Sequence, residues 1–215
     1  MNVHKDYVKQ LDFLEEMAFL KASRIICLDG INFNPKDNLA KYGWSEMGRE
    51  AITFQIRIAS KNYAVMAAMS EEGFIGWCIY DHTVCNTDVA SFIRERVAPM
   101  FGAEHVLLLD NAANQRHDYV ILTMETELGG RFKFNVAYSP ELNPIERGFA
   151  LIRTWIRSHE HLDMFRGDDG AYRLINAAFH NYSIIGPEGD KCYGFFDLYR
   201  NNHQSFLDET FLSEI

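Results

Sequence analysis

The sequence predicts an α/β fold in which a mixed sheet carries helices on both faces. Segments 25–28 and 106–109 are almost continuously apolar, as expected of strands that are buried on both sides. Between them, alternating polar residues and a short link containing Gly73 indicate antiparallel strands. After them, helical and strand patterns alternate along the chain. Ligands on such sheets gather at the carboxyl ends of strands, so we expect the functional site there.

Each predicted element has a local signal. The helix at 6–22 has apolar residues at helical spacing, and residues 30–48 read as a loop because Asn-Pro and glycines interrupt them. The strands after this loop are predicted at 52–58, 63–69, 74–80, 105–110 and 132–137, in addition to the first at 24–29. The other helices are predicted at 88–100, 114–128, from 144 onwards and at 163–183, before a loop-rich and weakly helical tail at 186–215.

The composition is that of an ordinary globular domain. Of the 215 residues, 47% are hydrophobic and 24% are charged, which argues against a disordered chain. No apolar run reaches the roughly 18 residues of a transmembrane helix, so we expect no membrane association. The four cysteines are scattered without a CxxC pair, so we expect free thiols and an intracellular protein. The net charge of −9 argues against a stand-alone nucleic-acid-binding domain, but a nuclease stays open because metal ions neutralise an acidic site.

Three acidic residues occupy positions from which they could bind metal together. Asp29 ends the first apolar run and Asp110 ends the second, so each is expected at the carboxyl end of a buried strand. Glu146 is expected in the first turn of a helix, because Asn143 fits the N-cap and Pro144 the first helical position. Mg²⁺ takes carboxylate oxygens and needs neither His nor Cys. Two such ions can activate a water or hydroxyl and stabilise the leaving oxygen in phosphodiester chemistry.

Each acid also has a simpler structural explanation. Asp29 with Gly30 is a turn signal, Asp110 is an ordinary strand-end residue, and Glu146 could complete a capping arrangement with Asn143. Taken singly, these explanations are favoured. Their combination favours a metal site, since both buried strands end in the same way and the helix follows directly.

The other candidates carry weaker signals. Trp44, in a glycine-containing loop, is more often a hydrophobic plug than a base-stacking residue. Arg147, Arg153 and Arg157 fit a solvated helix face and a set of DNA phosphate contacts equally well. The histidines at 117, 159 and 161 lack the spacing of metal ligands and are expected to serve packing or the surface.

Four motifs then carry a family resemblance. YSPELNPIE at 138–146 resembles the signature with the last acid of mariner-like transposases and their bacterial insertion-sequence relatives, which are DDE transposases. LLLDNA at 107–112 resembles their second-acid motif, ICLDG at 26–30 occupies the place of the first, and YGWSEMGRE at 42–50 resembles the segment that usually follows it. The first two acids are separated by 80 residues and the last two by 35, and the second gap is close to the family's short spacing.

Three positions depart from the family pattern. Gly30 stands where a second acid often follows the first, and Gln115 stands where the second motif usually carries His. Ala137 replaces a proline commonly found before the tyrosine. The triad itself is complete.

The resemblance implies an RNase H-like fold, with a mixed five-stranded sheet flanked by helices on both faces. We expect an N-terminal helix and linker at 1–23, the catalytic core at 24–160, and a C-terminal helical extension packed on the core at 161–215. The implied catalytic and metal-binding triad is Asp29, Asp110 and Glu146, with Mg²⁺ or Mn²⁺ in a two-metal site. The motif positions that would support the site are Asn111, Tyr138, Ser139, Pro140, Asn143 and Pro144.

The implied reaction is metal-dependent cleavage at transposon ends, followed by attack of the freed 3′-hydroxyl on target DNA. DNA is the expected partner, and the DNA-recognition domain is expected to be separate from this sequence or missing in it. The resemblance also allows a homodimer. The expected location is the nucleus in a eukaryote and the cytoplasm or nucleoid in a bacterium. The alternative is a domesticated or decayed relative that acts as a non-catalytic binding or scaffold protein, which the net charge and the altered positions favour. An RNase H-like nuclease or resolvase without strand transfer fits the motif order less well.

Overall fold

Five strands form one mixed sheet. The computed structural model of the chain describes residues 6–17, 19–34, 45–49, 61–160, 162–165, 167 and 169–200. The strands are β1 Ile25–Phe33, β2 Tyr63–Ser70, β3 Gly73–Tyr80, β4 Val106–Leu109 and β5 Phe132–Phe134. Their order in the sheet is β3-β2-β1-β4-β5. The pairs β1–β2 and β2–β3 are antiparallel, whereas the pairs β1–β4 and β4–β5 are parallel.

Six α-helices surround this sheet in the described residues. They are α1 Tyr7–Met17, α2 Asn86–Phe92, α3 Asp118–Leu128, α4 Pro144–His159, α5 Gly170–Asn181 and α6 Asp197–Arg200. A π-helical turn (Ile93–Val97) and a 3-10 turn (Ala98–Met100) extend α2, and other 3-10 turns lie at Ala22–Arg24, Pro140–Leu142, Asp163–Phe165 and Gly189–Phe196. None of the helices found in these ranges has the length and apolar character to cross a membrane.

Alternation along β1 divides the core between the two sheet faces. Ile25, Cys27 and Ile31 belong to a cluster that contains residues of α1, α4 and α5. Ile26 and Leu28 belong to the opposite cluster, which contains residues of α2 and α3. Successive side chains of a strand point to opposite faces, so an apolar run on β1 serves both cores. The predicted α/β architecture with helices on both faces is therefore confirmed.

The first strand is longer than predicted. β1 passes through Asp29 and Gly30 and continues to Phe33, so the expectation of a strand end and turn at this point is wrong. Its second half pairs with β2, in a register that joins Asp29 to Ala67 and Phe33 to Tyr63. A complete ladder of backbone hydrogen bonds outweighs the local turn preference of Asp-Gly.

Other helix and strand boundaries differ from the predicted ones because of local hydrogen bonds. The third helix starts at Asp118 instead of 114, because the His117 side chain accepts the Tyr119 backbone N–H as an N-cap. β5 stops at Phe134, because the Asn135 side chain bonds to the backbone of Val136 and Ser139 and turns the chain. The helix predicted at 163–183 is a 3-10 turn followed by α5. The strand predicted at 52–58 lies outside the described residues.

The N-terminal and C-terminal segments share the core of the sheet. Phe13, Leu14 and Met17 of α1 and Phe196 near the C-terminus belong to the same buried cluster as β1 and α4. The proposed division into segments 1–23, 24–160 and 161–215 stays a prediction.

Gly148 lets α4 lie close against the sheet. A Cβ at this position would lie 2.6 Å from Met69 Sδ and 3.0 Å from the Phe74 ring, both of which are fully buried. We expect Gly148→Val to lower the free energy of unfolding by about 1–3 kcal/mol, as overpacking of a dense core does. Urea denaturation measures this loss.

Ala150→Val on the exposed side of α4 is the matched control for that substitution. It adds the same β-branched residue to the same helix without a core contact, and it should cost no more than about 0.7 kcal/mol. Equal losses in the two variants would contradict the close helix–sheet approach.

Candidate metal centre

The register of β1 and β4 places Asp29 beside Asp110. The two parallel strands are paired from Ile25 and Val106 up to Leu28 and Leu109. Asp29 and Asp110 are the next residues on each strand, so they continue neighbouring rows of the sheet. Asp110 lies directly after β4, as predicted, whereas Asp29 lies within β1 where its parallel pairing ends.

Glu146 enters the same region from the first turn of α4. The 3-10 turn at Pro140–Leu142 leads to Asn143 at the N-cap and Pro144 at the first helical position, as predicted. The buried stripe of α4 fixes its rotation over the sheet, with Ile145, Phe149, Ile152 and Ile156 all almost fully buried. Glu146 lies beside this stripe and is exposed.

The three carboxylates influence one another electrostatically. The pKa of Asp29 is raised from 3.8 to about 7, chiefly by burial and in part by the nearby charges of Asp110 and Glu146, while the Gly30 N–H, 2.7 Å from Oδ1, opposes the shift. Partial burial and then the Asp110 charge raise the pKa of Glu146, while Arg153 opposes this shift. Mutual repulsion of this kind is what a bound divalent cation relieves.

Two amide side chains hold the Asp29 carboxylate. Gln115 Nε2 donates to Oδ1 at 3.4 Å, and Asn143 Nδ2 donates to Oδ2 at 3.3 Å. Asn143 therefore occupies the N-cap position without capping α4 through its side chain, and the capping explanation for the Asn143–Glu146 pair is wrong. Gln115 holds the first acid although the sequence marked it only as a departure from the family pattern.

Three amide oxygens around these residues lack a hydrogen-bond partner. They are Asn111 Oδ1, Gln115 Oε1 and Asn143 Oδ1, each a buried atom. Asn111 is held through its other amide atom, Nδ2, which donates to the Asn135 backbone oxygen at 3.1 Å. A buried acceptor without a partner is costly unless water or an ion completes it.

These donors suit a hard divalent cation. Carboxylate and amide oxygens are the ligands that Mg²⁺ and Mn²⁺ prefer. In the part of the chain that the structure describes, no three His, Cys, Asp or Glu side chains already converge closely enough to hold one ion. Asp29, Asp110 and Glu146 thus have the donor chemistry of a metal centre, and binding would require their carboxylates to move closer together.

The motif loop, residues 138–143 directly before α4, is held by several hydrogen bonds. Tyr138 is exposed and has a φ of 60°, in the left-handed region that residues other than glycine rarely adopt. Ser139 is 2% exposed, and its Oγ donates to the Ala137 oxygen while its own carbonyl accepts from Asn135 Nδ2 at 2.8 Å. Pro140 begins the 3-10 turn. These positions shape the approach to Glu146 and contribute no charged group.

Two distant residues fasten this loop from opposite ends of the chain. Gln10 of α1 donates to Ser139 Oγ at 2.6 Å and to the Glu141 carboxylate at 3.1 Å. The Tyr199 hydroxyl of α6 donates to the Leu142 backbone oxygen. Neither residue was expected at the site, because nothing in a local helical pattern reveals which loop a buried polar residue will meet.

The remaining predicted candidates fall into three groups. Arg147, Arg153 and Arg157 lie exposed along α4 and form no ion pair with another described residue. His159 stacks on Trp155 with ring centroids 3.9 Å apart, in line with a packing role. Trp44 lies outside the described residues.

Two of the four cysteines, Cys27 and Cys192, are buried. Burial raises the pKa of Cys27 and takes that of Cys192 to about 12, so both thiols stay protonated. All four cysteines are free, as predicted.

The solved structures with a similar fold include transposases. The Mos1 mariner paired end complex with Mn superposes with a TM-score of 0.62 at 15% identity, over 91% of this chain and 61% of that one. The catalytic domain of Mos1 mariner transposase superposes with a TM-score of 0.58 at 15% identity, over 91% of each chain. The Mos1 transposase catalytic domain with raltegravir and Mg gives a TM-score of 0.58 at 14% identity, over 91% and 92%. The predicted RNase H-like fold is therefore confirmed.

The chain spans only about three fifths of the Mos1 chain in the paired end complex. No curated protein sequence matches it. The family model described as DDE superfamily endonuclease, however, matches residues 24–166, which is about two thirds of the sequence. The match includes all three acids and every predicted supporting position. On this basis the chain belongs to the DDE superfamily endonucleases.

Proposed function

We propose that this chain is the catalytic domain of a DDE transposase, which cleaves DNA strands at transposon ends and joins the freed 3′-hydroxyl to target DNA. The observation that carries the proposal is the electrostatic proximity of Asp29, Asp110 and Glu146 at β1, β4 and α4: the charges of Asp110 and Glu146 raise the pKa of Asp29, and the charge of Asp110 raises that of Glu146. Mos1 structures that contain Mn or Mg support the choice of metal.

In this proposal the chain's own residues divide the work. Asp29, Asp110 and Glu146 would hold Mg²⁺ or Mn²⁺ in a two-metal site, and the metal would activate the attacking oxygen and stabilise the leaving one. Asn143 holds the Asp29 carboxylate from one side and Asn111 ties the end of β4 to the chain after β5. Tyr138, Ser139, Pro140 and Pro144 set where α4 begins, and therefore where Glu146 stands.

A plasmid assay tests the reaction. A supercoiled plasmid carrying the genomic flanks of this gene is incubated with the protein and Mn²⁺ or Mg²⁺, and nicked, linear and strand-transfer products are mapped. Breaks at the flanks followed by joining products are expected. Breaks without joining would instead indicate a hydrolytic nuclease, and no breaks with either metal would contradict catalysis.

One observation favours a second candidate, a non-catalytic binding or scaffold protein derived from a transposase. The described acidic side chains do not converge on one point, and the whole chain carries a net charge of −9. Under this alternative the protein binds its partner equally well in EDTA and in Mn²⁺, and the plasmid stays intact.

We further propose that DNA lies along the exposed arginines of α4. Arg147 and Arg157 have no ion pair with another described residue, so each is available to a phosphate. We expect each Arg→Ala substitution to lower DNA affinity and to reduce the slope of log K against log[salt] by about 1. Fluorescence anisotropy over a salt series measures both effects.

Arg24→Ala is the matched control for the arginine variants. Arg24 already pairs with Glu104 at 2.7 Å, at the far end of β1 from the candidate metal centre. Its removal should leave the salt slope unchanged. An unchanged slope in the Arg147 and Arg157 variants would place DNA elsewhere.

The proposal also includes a base-stacking role for Trp44, a homodimer and a separate DNA-recognition domain. It further includes an intracellular location, which is nuclear in a eukaryote.

A further inference from the structure

Gln115 occupies a buried position between the second acid and α3. It lies five residues after Asp110 and is only 2% exposed. Its backbone N–H bonds to the Ala112 oxygen at 3.0 Å, so the turn after β4 fixes where its side chain starts. A glutamine buried this deeply must satisfy both ends of its amide, or the fold loses stability.

One end of this amide is bonded to Asp29. Nε2 approaches Asp29 Oδ1 from one side, while Asn143 Nδ2 approaches Oδ2 from the other, at 3.4 and 3.3 Å. A carboxylate rotates easily about its last torsion, and a donor on each oxygen restricts that rotation. Both distances are long beside the 2.7–2.9 Å usual for charge-assisted bonds, so the clamp can tighten when the carboxylate shifts toward a cation.

The other end of the amide has no partner. Gln115 Oε1 is buried and accepts no hydrogen bond in the structure. Turning the amide over would place this oxygen against the Asp29 carboxylate, so the present orientation is the favourable one. Oε1 belongs to the same amide group as the nitrogen that contacts Asp29, so an unpartnered acceptor lies in the surroundings of this carboxylate.

We propose that Gln115 is a positioning residue of the metal centre, whose N–H holds Asp29 and whose oxygen accepts a hydrogen bond from a water bound to the metal ion. The inference rests on the proposed function and extends it to a residue outside the acid triad. It also gives a reason for the glutamine at a position where the family that this sequence resembles usually carries histidine. Glutamine donates and accepts at every pH, whereas histidine does both only while neutral.

This difference makes two substitutions informative. Gln115→Met keeps the size of the side chain but removes the donor and the acceptor, and we expect Mn²⁺ affinity to fall about tenfold at pH 8 and at pH 5.5 alike. Gln115→His restores both roles while it is neutral. Its affinity should stay near that of the wild type at pH 8 and fall below it at pH 5.5, where a protonated imidazole can no longer accept.

Mn²⁺ dissociation constants for the full chain, measured by electron paramagnetic resonance, are compared as variant-to-wild-type ratios at each pH. Thr123→Val is the matched control, because it removes a buried hydrogen bond to the Tyr119 oxygen within α3 and does not touch Asp29. It should leave Mn²⁺ affinity unchanged, and thermal unfolding of each variant separates loss of folding from loss of binding.

The outcomes separate this inference from the proposed function. If Gln115→Met binds Mn²⁺ within twofold of the wild type while Asp29→Asn loses binding, the role of Gln115 is wrong and the metal centre stands. A pH-independent ratio for Gln115→His contradicts the acceptor role. If the wild type binds no Mn²⁺ at pH 8, both the inference and the proposed metal chemistry fall.

Discussion

Replacing Asp110 by Asn is expected to lower Mn²⁺-dependent strand cleavage by about a thousandfold or more, because metal-ion stabilisation of such a transition state is worth several kcal/mol. Asp110 lies directly after β4, next to Asp29, and its charge acts on both other acids of the triad. Asparagine keeps the shape of the side chain and removes the charge. The loss should therefore appear in metal affinity and cleavage rate and not in folding.

Asp118→Asn is the control for this prediction. It removes the same charge from an exposed position in the first turn of α3, outside the triad. Single-turnover cleavage and Mn²⁺ titration compare the two variants with the wild type. Cleavage by Asp110→Asn at the wild-type rate would show that the second acid takes no part in the reaction.

The metal-free protein is expected to lose stability as the pH rises toward 8. Asp29 binds a proton more tightly in the folded state, because burial and two neighbouring acids raise its pKa from 3.8 to about 7. This contribution is fully present below pH 3.8 and is lost as the pH rises through 7. One pKa unit corresponds to about 1.4 kcal/mol, so Asp29 accounts for about 4 kcal/mol over that window. Glu146 acts in the same direction.

Urea denaturation in EDTA between pH 5 and pH 8 measures this effect as the difference between wild type and Asp29→Asn. The difference cancels the other titrating groups, and it should fall with rising pH, so that the variant becomes relatively more stable at pH 8. Added Mn²⁺ should then restore the wild type at pH 8 and leave Asp29→Asn unaffected. A difference that does not change with pH would mean that Asp29 is not a buried carboxylate under repulsion.

Local signals in the sequence predicted the parts of the site that depend on short-range structure. The apolar runs before Asp29 and Asp110 predicted two strands buried on both faces, and Asn143-Pro144 predicted the start of α4 to the residue. The sequence did not predict that β1 continues past Asp29, because the pairing strand β2 begins more than thirty residues later. The Asp-Gly turn preference is a local property, and a distant strand overruled it.

The contacts of buried polar side chains were harder to predict. Asn143 was expected to cap its helix and instead holds Asp29, which lies 114 positions earlier in the chain. Gln10 was read as part of an ordinary packing helix, although it meets a loop 129 residues away. A helical pattern shows that a face is buried but gives no information about the residue that it meets. Partners of this kind come from the tertiary fold alone.

The hydrogen bonds from Gln10 and Tyr199 to the motif loop show that the folded unit is larger than the segment that carries the family signature. The matched region, 24–166, contains every acid and every motif residue, yet neither of these two side chains lies within it. A fragment cut at those boundaries would retain the full signature and lose the hydrogen bonds that hold Ser139 and Leu142, together with the buried side chains of α1. Substitutions near either terminus are therefore expected to shift the position of Glu146, although neither terminal segment contains a residue of the proposed metal centre.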